Sequence, residues 1–172
     1  MWLLWPTATK DMFPWQSSTE TYLKLEEIKG RIHEMMDRIS SEISFGLGRK
    51  NADPVDHELF SSDTWTNVPE LLSLKRIAYQ QLGTAGSGNH YVDILLEDQT
   101  GNIWVAVHFG SRGFGHKIAT GFLNLAHNRP FDGKAPGESM DQPPTLLPPS
   151  SPLGEAYIEA MKLCLCWQRY RG

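Results

Sequence analysis

Residues 86–119 read GSGNHYVDILLEDQTGNIWVAVHFGSRGFGHKIA, and this stretch decides the fold class. Residues 91–97 and 102–109 are rich in β-branched and aromatic side chains, with Asp98-Gln99-Thr100-Gly101 between them. Two such runs around a short Gly-containing turn predict a β-hairpin. Centring the turn on Gln99 sets His90 opposite His108, Val92 opposite Ala106 and Ile94 opposite Trp104. Tyr91, Asp93 and Leu95 then lie on the other face, against Val107, Val105 and Ile103. Both faces are largely apolar, which predicts a sheet covered on both sides. Directly opposed residues have Cβ atoms about 4.5–5.5 Å apart, close enough for two imidazoles to share one metal ion. Two readings of the histidines stay open: a pair of metal ligands, or two core histidines bonded to backbone.

On either side of the hairpin lie glycine-rich turns. GTAGSGNH (83–90) leads into a strand where a dinucleotide fingerprint leads into a helix, so that fingerprint is excluded. After the second strand, Gly110-Ser111-Arg112-Gly113 opens a helix running to about Ala126. Ser111 is placed to cap it, its first N–H groups favour an anion, and Arg112 offers a bidentate fork suited to phosphate. A metal-competent histidine three residues before an anion-competent serine suits phosphate chemistry. The alternative is a capped helix with a surface arginine.

Further out, Leu23, Ile28, Ile32, Met35, Met36, Ile39 and Ile43 recur near helical spacing and predict a helix over 18–43. SFGLGRKN (44–51) reads as a loop, 52–67 as polar and turn-like, and 68–82 as a second helix. Residues 129–152 hold seven prolines and predict an extended loop, and 153–170 predicts a last amphipathic helix. The expected fold is α+β, a buried antiparallel sheet with helices packed around it.

The 172 residues suit one domain with a real core. A net charge of −4 excludes a protein that coats nucleic acid non-specifically, so any nucleic-acid role needs a local basic site. Arg49-Lys50 and Lys75-Arg76 are short basic pairs of the kind that usually face solvent. Cys164 and Cys166 would diverge on a helix, a poor disulfide and a poor chelate, and fit a reducing cytosol. The apolar start, Met1 to Pro6, is too short for a signal peptide or a membrane span, and a cytoplasmic protein is expected. His33, His57, His116 and His127 show no partner pattern.

GSGNHYVDI (86–94) followed by VHFGSRGFGHKIA (107–119) resembles the RtcB family of RNA ligases, and the likeness extends to ISFGLGRKN (43–51) and APGESMDQPP (135–144). It covers roughly residues 16–165. The resemblance implies a ligase that uses GTP and Mn²⁺ to join RNA 3′-phosphate or 2′,3′-cyclic phosphate ends to 5′-hydroxyl ends, in tRNA splicing and RNA repair. It implies that a histidine is guanylylated on the way. By position it makes His90 and His108 metal ligands. It places Asn89 near metal and phosphate, Arg112 on a phosphate, and Tyr91 and Asp93 near the guanine nucleotide. Asp93 stands where the family usually has glutamate.

The family's upstream Asp-x-x-Cys motif, its later metal histidine and its guanylylated histidine have no counterpart in this sequence. Residues 1–15 look unrelated to the family. The expectation is therefore the central part of a ligase domain (16–172), inactive alone, whose missing parts are encoded nearby. The alternative is a non-catalytic remnant that binds metal or phosphate.

Overall fold

The computed structural model describes residues 16–134 and 144–169. The stretches 1–15 and most of APGESMDQPP lie outside these described residues. The architecture is α+β, as expected. Strands β1 (Gln16–Lys24), β2 (Tyr91–Leu96) and β3 (Asn102–His108) form one antiparallel sheet in the order β1-β3-β2.

The hairpin forms, but one residue out of the expected register. Tyr91 pairs with His108, Val92 with Val107, Asp93 with Ala106 and Leu95 with Trp104. The reason is the turn. Glu97 N–H donates to the Asn102 carbonyl (2.9 Å) and Gly101 N–H to the Glu97 carbonyl (2.8 Å), which closes a loop of four residues, 98–101. An even loop centres between Gln99 and Thr100 and not on Gln99. Gly101 takes φ +70° to bring the chain back, a conformation that costs glycine little. A one-residue slip exchanges the two faces of a strand. Tyr91 and Asp93 therefore share a face with His108, Ala106 and Trp104, and Val92, Ile94 and Leu96 take the other.

The expected helix over 18–43 is corrected at its start. Residues 16–24 form β1, which pairs along the second edge of β3 from Gln16↔His108 to Lys24↔Asn102. A bulge lies between Glu20 and Lys24, where Thr21 Oγ1 donates to the Ile103 carbonyl (2.8 Å). The free backbone groups of β3 offered a ladder that outweighed the weak helical periodicity around Leu23. Helix then follows as α1 (Leu25–Ile28) and α2 (Ile32–Glu42), and no residue of α2 is buried.

The expected second helix is broken into pieces. After a 3₁₀ turn at Glu58–Ser61 come α3 (Thr64–Asn67), α4 (Pro69–Leu72) and α5 (Lys75–Gln81). Pro69 lacks an amide hydrogen and stands at the start of α4, so the helix restarts there. The reading of 52–67 as plain turn missed the 3₁₀ turn, α3 and Trp65, which is 1% exposed. Two longer helices complete the chain, α6 (Arg112–Ala126) and α7 (Pro152–Arg169). Ser151 caps α7, with Oγ accepting from Gly154 N–H (3.1 Å).

The core lies among the helices. Leu71, Ala78, Leu82, Phe114, Ile118, Ala160 and Trp167 are all fully buried there. The Phe114 ring packs between Trp65 and Trp167, with both centroids at 5.5 Å. Both indoles are satisfied: Trp65 Nε1 donates to the Leu59 carbonyl (2.9 Å) and Trp167 Nε1 to Ala78 (3.1 Å). The sheet is less covered than its apolar sequence implied. On β2 and β3 only Ile103 and Ala106 are buried, and Leu95 and Leu96 are 46% and 44% exposed.

Candidate functional site

His90 ends the glycine-rich loop one residue before β2, and His108 ends β3. The pleat does not oppose them directly, yet the loop folds the His90 ring back toward His108. Their centroids are 5.7 Å apart. Gly86 makes this possible. A Cβ there would lie 1.5 Å from His90 Nδ1, so any larger residue would expel the ring. His90 Nε2 accepts the Gly110 N–H at 2.9 Å, which ties the loop before β2 to the turn after β3.

Tyr91 stacks on the His108 ring at 5.6 Å and 23°. Asn89 Nδ2 lies 3.5 Å from His108 Nε2. Asp93 is exposed on the same face. The register that separates His90 from a direct pairing thus sets Tyr91 against His108 and puts Asp93 on the same face, across from Ala106.

Arg112 is held differently from the sequence expectation. Ser111 makes no side-chain cap to α6. Arg112 adopts φ +56°, a left-handed conformation that turns the backbone at the helix start. Ser111 Oγ packs instead over Gly115, where a Cβ would lie 1.9 Å from it. The Arg112 guanidinium folds inward. Nη2 donates to the Gly46 carbonyl (2.7 Å) and Nε to Thr84 Oγ1 (3.1 Å). Burial pulls its pKa below the usual arginine value, and it remains charged. Among the described residues no carboxylate pairs with it. A half-buried cation whose described acceptors are neutral is one that an anion would stabilise.

Gly46 and Thr84 were not singled out in the sequence. Gly46 belongs to the loop 44–51, which lies along the end of α5 and the glycine-rich loop. Asn51 N–H donates to Gln80, Ala85 N–H to Ser44 and Gly46 N–H to Gly86. Asn51 Nδ2 adds a bond to the Leu82 carbonyl (3.1 Å). The available signal was the paired occurrence of two glycine-punctuated loops. Their contact is tertiary.

The donor set tests whether a metal fits. All six histidines of the chain lie among the described residues, and His90–His108 is the pair that meets. Two imidazoles at this separation can converge on one ion with N–metal bonds of about 2.1 Å. A neutral imidazole has one lone pair, and that of His90 is engaged by Gly110 N–H. His90 must exchange this bond to ligate. Among the described residues no group of three or more His, Cys, Asp or Glu is gathered for a metal. The two histidines therefore fit as part of a centre.

A family model described as tRNA-splicing ligase RtcB matches residues 61–169. The RNA-splicing ligase RtcB homolog 1 of Entamoeba dispar is 31% identical over 106 residues, covering 54% of this chain and 19% of the relative. The RNA-splicing ligase RtcB of Escherichia coli K12 is 31% identical over 124 residues, 64% of this chain and 30% of the relative. The tRNA-splicing ligase RtcB of Thermococcus kodakarensis is 26% identical over 186 residues, 83% of this chain and 38% of the relative. The chain thus spans between about a fifth and two fifths of the length of these relatives.

Proposed function

This chain belongs to the RtcB family, and from that premise we propose that it forms part of an RNA ligase that joins 3′-phosphate or 2′,3′-cyclic phosphate ends to 5′-hydroxyl ends with GTP and Mn²⁺. The observation that carries this reading is the meeting of Asn89, His90 and Tyr91 at the His108 ring. His90 and His108 would hold the metal, whose chemistry is to neutralise phosphate charge. Tyr91 orients the His108 ring by stacking on it. Asn89, with its amide nitrogen 3.5 Å from His108 Nε2, would offer its NH2 to a phosphate or its carbonyl oxygen to the metal. Asp93, a shorter carboxylate than the family's usual glutamate, faces solvent on the nucleotide side of this reading. Arg112 offers a fixed cation for the RNA 3′-phosphate, preorganised by Gly46 and Thr84.

The chain by itself is expected to bind without sealing. Mn²⁺ usually takes about six ligands, and two histidines leave most positions to water. A covalent guanylyl carrier is also required. His116 and His127 are exposed on and after α6, and His57 Nδ1 accepts from Leu59 N–H as the cap of the 3₁₀ turn.

The test is calorimetry with Mn²⁺, followed by incubation with radiolabelled GTP and RNA bearing the two ends. Expected are weak Mn²⁺ binding abolished by His108→Ala, no labelled protein and no joined RNA. Absence of any Mn²⁺ binding by the unaltered chain would reject the histidine assignment. A labelled protein band would show that another histidine carries the guanylyl group. A whole-length relative bearing the corresponding change at His108 that still joined RNA would overturn the proposed role.

A further inference from the structure

A cavity of about 350 Å³ opens where the loop 44–51 meets α5. Its rim carries Lys50 from the loop and Arg76 from α5, with Ser73 and Gln80 beside them and Ile77 and Gln81 below. No Asp or Glu lines it. Among the described residues neither Lys50 nor Arg76 makes an ion pair, whereas Arg31, Arg38 and Lys162 each meet a glutamate. The neighbouring cation Lys75 is used otherwise, over the Trp65 ring at 5.7 Å. In a chain of net charge −4, two cations at one acid-free hollow make a local basic spot. They hold positive potential at that spot.

The cavity shares two of its lining residues with the packing around the start of α6. Its floor residues Ile77 and Gln81 are what a Cβ on Gly113 would meet, at 3.3 and 3.1 Å, one residue after Arg112. Its loop wall carries Gly48, two residues from the Gly46 carbonyl that holds the Arg112 guanidinium. The lining thus neighbours residues adjacent to Arg112 and carries no acidic side chain to repel a strand whose terminal phosphate lies there.

We propose that Lys50 and Arg76 form a second phosphate subsite that takes internal phosphodiesters of the RNA strand whose end lies at Arg112. The inference rests on the reading of Arg112 given above. Ser73 and Gln80 are neutral groups able to hydrogen-bond sugar or base edges. The subsite supplies affinity along the strand, and Arg112 supplies recognition of its end.

The experiment uses the full chain and a fluorescein-labelled single-stranded 12-nucleotide RNA, with either a 3′-phosphate or a 3′-hydroxyl, read by anisotropy over a salt series. Both cations are exposed, so Lys50→Gln/Arg76→Gln should keep the fold, checked by circular dichroism. The double variant is expected to bind both RNAs about tenfold more weakly. Its slope of log affinity against log salt should be shallower by about 1.4, which is two single-strand phosphate contacts. The preference for the 3′-phosphate should be unchanged.

Arg31→Gln/Arg38→Gln removes the same charge from α1–α2 and should change the slope little. An equal loss in that control, or an unchanged slope in the Lys50/Arg76 variant, overturns the subsite and leaves Arg112 untouched. If the unaltered chain shows no end preference, or Arg112→Ala keeps it, the reading of Arg112 falls, and the subsite is then judged on its slope alone. No RNA binding at all overturns both.

Discussion

Arg112 carries two separate constraints, and they can be pulled apart by substitution. Its φ of +56° is costly for any residue with a Cβ, about 1–2 kcal/mol. Its guanidinium links α6 to Gly46 and Thr84. Arg112→Ala loses the links and keeps the backbone cost, whereas Arg112→Gly loses the links and relieves it. In urea unfolding, Arg112→Gly should therefore be more stable than Arg112→Ala by about 1 kcal/mol. Equal midpoints would show that the left-handed turn is not strained. Both variants should lose the preference for a 3′-phosphate. Gly86 makes a second case at this scale. Gly86→Ala drives a methyl group into the His90 ring and should cost about 1–3 kcal/mol. It should also abolish Mn²⁺ binding by displacing the ring from His108. Retained Mn²⁺ affinity in a folded Gly86→Ala chain would separate His90 from the metal.

Among the elements, the hairpin turn sets the chemistry of the site because it sets the register. Glu97 organises that turn. Its Oε2 accepts from Thr100 Oγ1 (2.5 Å) and from Trp104 Nε1 (3.3 Å). The Thr100 bond, then the Trp104 bond, with Lys24 nearby, hold its pKa below the usual glutamate range. A carboxylate depressed in the folded state contributes stability above its unfolded pKa of about 4.3. That contribution is lost as pH falls through the lower folded value. Thermal melts at descending pH should show the unaltered chain losing more stability below about pH 4.3 than Glu97→Gln does. Parallel curves would remove Glu97 from the turn's stability. The Ser151 cap of α7 is independent of the sheet, and Ser151→Ala should lower stability by about 1 kcal/mol in the same melts.

At the scale of the whole molecule, stability is concentrated in the helices and the site is built on their border. Trp167 closes the core from the end of α7, meeting Phe114 edge-on and bonding the Ala78 carbonyl. Trp167→Ala should cost about 3–5 kcal/mol, a large part of a small domain's stability, and should leave a chain that melts without cooperativity. A cooperative melt near the unaltered midpoint would show the helical core to be dispensable. The sheet is thinner in support, with β2 bearing exposed Leu95 and Leu96 and α2 burying nothing. Among the described residues no helix is long and apolar enough to cross a membrane.

The local sequence alone determined that residues 91–108 form a hairpin, that a helix runs from Arg112 to Ala126 and another from about 152, and that the class is α+β. These features rest on neighbours in the chain: β-branched runs around a glycine turn, and amphipathic periods along the helices. The motifs around His90, His108 and Arg112 were legible for the same reason, since each is short and contiguous. Tertiary structure decided the rest. The register depended on hydrogen bonds inside the turn that composition does not specify, and it moved Tyr91 and Asp93 onto the face of His108. Strand β1 formed because β3 had an unpaired edge some eighty residues away. Lys50, Arg76, Gly46 and Thr84 acquired meaning only when the loop 44–51 was laid along α5. Long-range hydrogen bonds, unlike periodicity, leave no pattern in either of the segments they join.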